Sequence, residues 1–145
     1  MSVRKARPAT TSYLLANVHH AIRSRLEAAL KPASITALQF TLLEVLAAHE
    51  GMTSADLSRR FFVTPQAMGE TIGLLLRRGL VRREPLAGDR RVRAIFATDA
   101  GRALLVQGDA ALAEIEAEVL GKLNAAERGA LHGVLDALVH RLRAA

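Results

Sequence analysis

Arginine is the residue type with chemistry to do in this sequence. Nine arginines stand between Arg59 and Arg93, against three acids, Glu70, Glu84 and Asp89, a local net charge of +6. The rest of the chain carries 11 basic and 11 acidic residues, so the whole excess lies in one quarter of the sequence. A guanidinium is a permanent cation with a planar fork of donors that fits phosphate oxygens and the outer edge of guanine. A merely solvated basic surface would spread such charge along the chain. Charge focused in this way is the footprint of a protein that meets duplex nucleic acid.

The densest part is "RREPLAGDRRVRAIFAT", residues 82–98, with Pro85, Gly88 and Asp89 at its centre. Leu80 to Glu84 and Val92 to Ala97 read as two strands, with a connection longer than a two-residue turn. Such a ribbon can lay an arginine into the minor groove, where the potential is deepest at narrow A·T-rich steps. Arg91 is the expected insertion. Asp89 is expected to orient a guanidinium through an ion pair, with shaping the loop beside Gly88 as the alternative, and the two roles are compatible. Arg82 and Arg83 are expected to meet phosphate, and Arg90 and Arg93 belong to the same basic surface.

Just upstream, "TPQAM" at 64–68 opens a helix. Thr64 is a good N-cap, and Pro65 at the first helical position loses no bond. Met68, Ile72 and Leu75 form the buried face, and Gly79 stops the helix near Arg78. Thr64, Pro65, Gln66 and Gly69 lie opposite that face, where first-turn residues meet base edges in a major groove. Gln66 can bond an adenine in bidentate fashion. Arg77 lies at the far end of the same helix.

The elements that must position these residues follow from periodicity and capping. A helix from about Ser12 to Leu30 carries Leu15, Val18, Ile22 and Leu26 on one stripe and ends at Pro32. "TALQ" at 36–39 is a capping box opening a second helix to about His49, with Leu38, Leu42, Leu43 and Leu46 inside and Gly51 closing it. "TSAD" at 53–56 caps a short third helix ending near Arg60. With the helix at 64–78 it makes a helix-turn-helix. Thr98 caps a long helix to about Leu120, with Leu104, Leu105, Ala111, Leu112, Ile115 and Val119 on its apolar face. "NAAE" at 124–127 opens the last, with Leu131, Val134, Leu135, Leu138 and Leu142. The first ten or so residues are expected to be frayed. The fold class is therefore mainly α with a small β-hairpin, a winged helix-turn-helix flanked by long N- and C-terminal helices. One domain is expected over 1–145, with 36–98 the winged part and 11–31 and 99–143 the dimerisation helices.

Those outer stripes exceed what a small winged helix needs to cover its own core. Interleaving across a two-fold axis would bury them; a monomer with an extra packed helical layer is the alternative.

Other chemistry is sparse. With no cysteine there is no disulfide, no thiolate metal site and no thiol redox sensor. Of the five histidines, 19, 20, 49, 132 and 140, only His19 and His20 adjoin, and neighbours in a helix do not share a face. No metal or other cofactor is expected. No nucleophile–base constellation or phosphate loop is present, so an enzyme is the weakest reading. Half the residues are apolar and mean hydropathy is +0.17, which argues against disorder. No signal-peptide pattern or membrane-spanning run occurs, consistent with a cytoplasmic protein that does not engage a membrane.

"GMTSADLSRRFFVTPQAM", "LLRRGLVRRE" and "DRRVRAIFATDAG" together resemble the MarR family of bacterial transcription regulators, from about Leu14 to Leu142. In that family the wing carries Asp-x-Arg, then a Thr starting the next helix and a Gly three residues on; Asp89, Arg91, Thr98 and Gly101 fit this frame. The resemblance implies a homodimer bound to a pseudo-palindromic duplex, more often repressor than activator. It also implies a small-molecule effector pocket between the first two helices and the fifth, which His19, His20 and Phe40 could line unless they are ordinary packing or surface residues. Gly69 and Glu70 depart from the pattern, standing where a hydroxyl residue and a basic residue are common. A winged-helix protein-interaction module without DNA binding is the alternative function, and salt-dependent duplex binding separates the two.

Overall fold

The computed structural model describes residues 6–145. Residues 6–10 carry no regular structure, and the fraying expected for residues 1–5 lies outside the described residues. Helix α1 (Thr11–Leu30) begins where the Thr10 hydroxyl accepts the Tyr13 N–H at 3.2 Å. Pro32 does not end the chain's helical course abruptly but sits in a 3-10 turn, Lys31–Ala33. Helix α2 (Ala37–Ala48) has the expected capping box, Thr36 with Gln39. Glu27 of α1 accepts the Ala37 N–H at 3.0 Å and so satisfies a further free donor of that helix end. Phe40, Leu42, Leu43 and Leu46 are fully buried. A helix apolar on so much of its circumference belongs at the centre, and α2 lies there.

Strand β1 (Met52–Thr53) leads into α3 (Ser54–Arg60), and α4 (Pro65–Arg77) follows a tight turn. Strands β2 (Val81–Leu86) and β3 (Asp89–Ala97) form the wing, and the sheet order is β1-β3-β2, antiparallel throughout. Helix α5 (Asp99–Leu120) then packs along α1, with Arg25 and Glu118 paired at 3.0 Å, and α6 (Ala125–Ala144) closes the chain behind the Asn124–Glu127 capping box. One core runs through all of it: Leu26 and Leu30 of α1, Leu57 of α3, Met68, Ile72 and Leu75 of α4, Ile95 of β3, and Leu105 and Ile115 of α5.

Two local details differ from the sequence reading. The third strand, β1, is only two residues long, too short to show an alternating pattern, and exists because β3 offers Ala94 and Ile95 as partners. The hairpin connection is shorter than expected. Pairing continues to Leu86 opposite Asp89, leaving only Ala87 and Gly88 between the strands, with Gly88 at φ +95°. Pro85 is tolerated inside the strand because β2 is an edge.

Candidate nucleic-acid interface

Helix α4 is held at both ends. Thr64 accepts the Ala67 N–H at 3.1 Å, and the far end closes in a Schellman motif: Leu80 N–H to Leu75 O, and Gly79 N–H to Leu76 O, each at 3.0 Å. Gly79 adopts φ +68°, a conformation that costs a glycine nothing. With Met68, Ile72 and Leu75 locked in the core, the opposite face is fixed outward. Thr64, Pro65, Gln66, Gly69 and Glu70 are all exposed. Gln66, Gly69, Glu70, Gly73, Leu74 and Arg77 share one shallow hollow. A methyl group added at Gly69 would meet nothing within 4 Å, so the helix backbone itself is approachable there.

The turn before α4 repeats the Schellman geometry on α3, with Val63 N–H bonded to Ser58 O at 3.1 Å. The left-handed position is taken by Phe62, at φ +53° and 61% exposed. A side chain in that conformation costs on the order of 1–2 kcal/mol relative to glycine.

The structure sorts the nine arginines into two groups. Four are committed to protein partners. Arg59 pairs with Asp56 at 2.6 Å, and Arg60 lies against the His49 ring at 3.1 Å. Burial, then the nearby Arg143, pushes the Arg60 guanidinium below its ordinary value. Arg78 donates to the Ser34 and Ala33 carbonyls at 2.7 and 2.8 Å and so braces the turn after α1. Arg82 pairs with Glu84 at 2.7 Å, donates to the Ala97 carbonyl at 3.0 Å and stacks over Phe96 at 5.0 Å. Arg82, expected to meet phosphate, thus has structural partners at the base of the wing. The other five, Arg77, Arg83, Arg90, Arg91 and Arg93, are exposed, and among the described residues their side chains make no hydrogen bond or ion pair.

The register explains why the wing tip projects. Pro85 pairs with Arg93 and Leu86 with Asp89, so Arg90, Arg91 and Val92 have no partner on β2. A bulge of this kind bends the strand and turns its side chains out of the ladder. Asp89 holds the start of it, accepting the Arg91 backbone N–H at 3.0 Å. Among the described residues Asp89 makes no ion pair to a guanidinium; its carboxylate accepts the backbone N–H two residues on and so shapes the loop.

The other half of the Asp-x-Arg…Thr-x-x-Gly frame is a joint. The Thr98 hydroxyl caps α5, accepting the Gly101 N–H at 3.2 Å, and donates to the Gly79 carbonyl at 2.6 Å. A Cβ on Gly101 would overlap the Leu80 carbonyl. Residue 101 must therefore lack a side chain for α5 to lie against the α4–β2 junction. Recognition helix, wing and α5 meet at this one point.

Behind the helix-turn-helix lies a cavity of 580 Å³, walled by α1, α2, the α3–α4 turn and Leu112 of α5. His19 is on its wall; His20, one position round the helix, is not. Phe40 is not on it either: it is fully buried in the core, its ring seated against Gly108 of α5. Arg23, Thr41 and Glu44 are the polar residues the sequence reading missed there. The one available signal was Glu44, an acid inside the otherwise apolar run "LLEVLAA". Among the described residues no group of three or more His, Asp or Glu is placed to hold a metal ion, and no helix is long and apolar enough to cross a membrane.

Two helices carry uncovered apolar faces. Tyr13, Leu14, Leu15 and Val18 of α1 are exposed, as are Val134, Leu135, Leu138 and Leu142 of α6, and α6 has no buried residue along its length.

A helix-turn-helix with a basic β-wing, set between long helices with bare apolar faces, defines a winged helix-turn-helix protein. A model of the MarR family matches residues 33–92. The HTH-type transcriptional repressor Rv2887 of Mycobacterium tuberculosis (strain ATCC 25618 / H37Rv) is 33% identical over 130 residues, covering 90% of this chain and 94% of that protein. The crystal structure of the Mycobacterium tuberculosis MarR family protein Rv2887 in complex with DNA matches with a TM-score of 0.73 at 34% identity, over 90% of this chain and 98% of that one. Its complex with salicylic acid matches with a TM-score of 0.71 at 32% identity, over 90% and 97%. The chain belongs to the MarR family.

Proposed function

We propose that this protein is a homodimeric, ligand-responsive transcriptional repressor acting on duplex DNA in the cytoplasm. Residues 36–98 form its DNA-binding part, and residues 11–31 and 99–143 its dimerisation helices. The observation that carries the reading is the sorting of the nine arginines: Arg77, Arg83, Arg90, Arg91 and Arg93, on α4 and the wing, are free among the described residues, while Arg59, Arg60, Arg78 and Arg82 are spent on the fold. Thr64, Pro65, Gln66 and Gly69 face base edges in the major groove, with Arg77 at the backbone. Arg83, Arg90 and Arg93 meet phosphate, and Arg91, with its loop set by Asp89, enters the minor groove. The bare faces of α1 and α6 cover one another across a two-fold axis, which presents two recognition helices to one operator.

The cavity fits the ligand-responsive part. Phe61 and Val63 of its wall belong to the turn that aims α4, so an occupant presses on the element that sets the recognition helix. The complex of Rv2887 with salicylic acid supports an effector site of this kind.

Selection of bound duplexes from a random pool by the purified protein tests the proposal. The expected product is a pseudo-palindrome with half-sites about one helical turn, ~10 bp, apart. A pool with no enrichment, or with a lone asymmetric half-site, contradicts it.

A further inference from the structure

The cavity behind the helix-turn-helix has an uneven polar lining. Its apolar part, Ile22, Leu26, Leu38, Val63 and Leu112 among others, suits a ring-bearing body, and 580 Å³ is the size of a small-molecule site. Of its polar groups, the Thr41 hydroxyl is spent on the Ala37 carbonyl at 2.9 Å, and Arg23 leans towards Glu27 at 3.9 Å. Glu44, on α2, is half-buried on the wall and makes no hydrogen bond or ion pair among the described residues. A partly desolvated carboxylate without a donor is an unfavourable arrangement that a bound cation would relieve. Its surroundings deepen the imbalance. Burial first, then Asp109 and Glu116, push the Glu44 carboxyl above its ordinary value, each in the same direction.

We infer that the effector this cavity selects carries a protonated amine on an apolar aromatic body, and that Glu44 is the residue that reads the amine. The inference rests on the proposal that the cavity is an effector site. An ammonium against Glu44 supplies the missing donor and offsets the acidic side of the cavity, with the apolar body lying between α1 and α2. A carboxylate in the same place meets repulsion from Glu44 and must turn instead to Arg23 and His19 of α1 on the cavity wall. The salicylic acid bound to Rv2887 has the opposite charge, so this chain is expected to differ from that relative in what it accepts.

Two probes with one body decide it: 2-naphthylmethylamine and 2-naphthoate, titrated calorimetrically at neutral pH into the intact protein and into Glu44→Gln. The amine should bind the parent about tenfold or more tightly than the carboxylate, the scale of one charge-assisted hydrogen bond. Glu44→Gln should lose about that factor for the amine and leave naphthoate binding equal or tighter. The isosteric amide removes a half-buried charge without changing shape, and circular dichroism checks its fold. Tighter binding of naphthoate to the parent, an amine affinity unmoved by Glu44→Gln, or no binding of either probe would overturn the inference. The comparison on the parent alone decides the matter should the variant not fold. Duplex binding measured in parallel without probes keeps the outcomes apart: its loss counts against the repressor reading, and probe selectivity counts only for or against Glu44.

Discussion

The carboxylate of Asp89 accepts the backbone N–H of Arg91 at 3.0 Å, so the acid sets the course of the chain and leaves the guanidinium free. An acid that paired with the Arg91 side chain would compete with DNA for it. An acid that pins the backbone projects the side chain without neutralising it.

This geometry separates two substitutions. Asn keeps a carbonyl oxygen where the Asp89 carboxylate accepts, and Ala does not. Asp89→Asn is expected to bind operator as the parent does, whereas Asp89→Ala weakens binding by about 1 kcal/mol through a looser wing tip. Titration of both variants on one duplex checks this. Equal losses for Asn and Ala would mean that the charge, and not the turn, matters.

Arg82 and Arg83 are adjacent in sequence but have different neighbours. Arg82→Ala removes the Glu84 pair, the Ala97 bond and the Phe96 stacking, so it should lower stability by about 1 kcal/mol and change DNA affinity little. Arg83→Ala should leave stability unchanged, weaken binding nearly uniformly across sequences and flatten the salt dependence by about one phosphate contact. Urea denaturation and binding at two salt concentrations measure both. The reverse assignment of effects would show that the tied arginine is the one that meets DNA.

Glycines on two helices offer an opposite pair of outcomes. A Cβ at Gly108 would overlap the Phe40 ring, whereas one at Gly69 meets open space. Gly108→Ala should destabilise by roughly 1–3 kcal/mol through forced repacking between α2 and α5. Gly69→Ala should stabilise the free protein by roughly 0.5–1 kcal/mol through helix propensity. Denaturant midpoints of the two variants falling on the same side of the parent would contradict the packing described.

Much of this was legible in the sequence because it is local. Thr36, Thr53, Thr64, Thr98 and Asn124 announce helix starts through side chains that reach only three residues on, and all five cap as expected. The buried face of α4 follows from the spacing of Met68, Ile72 and Leu75. What could not be read depends on neighbours distant in sequence. Phe62 holds a left-handed position that glycine usually marks, so the geometry of the turn, though not its place before Thr64, goes unsignalled. The free and tied arginines look identical in sequence, because Arg78 finds its carbonyls at residues 33 and 34 and Arg82 its carbonyl at residue 97. The family resemblance leaves Phe40 open between a pocket wall and ordinary packing, and the glycine across from it, Gly108, puts it in the core.

The bare faces of α1 and α6 make the dimer testable without DNA. Leu138 is 43% exposed in the single chain, on the stripe with Val134 and Leu142. Leu138→Glu places an unpaired charge in the predicted interface and should convert the dimer to monomer in sedimentation velocity, with helix content retained. A variant that sediments as the parent dimer would move the interface elsewhere.

The central claim is that the free arginines of the wing, and not the tied ones, carry DNA binding, with Arg91 in the minor groove. Fluorescence anisotropy with a selected operator, flanked by A·T-rich or G·C-rich sequence, tests it on Arg91→Ala and, as the tied control, Arg59→Ala. Arg91→Ala should lose roughly 1–3 kcal/mol, most on the A·T-rich flank where the groove is narrow, while Arg59→Ala binds as the parent does. Parental affinity of Arg91→Ala on both duplexes, or an equal loss in Arg59→Ala, would contradict the account.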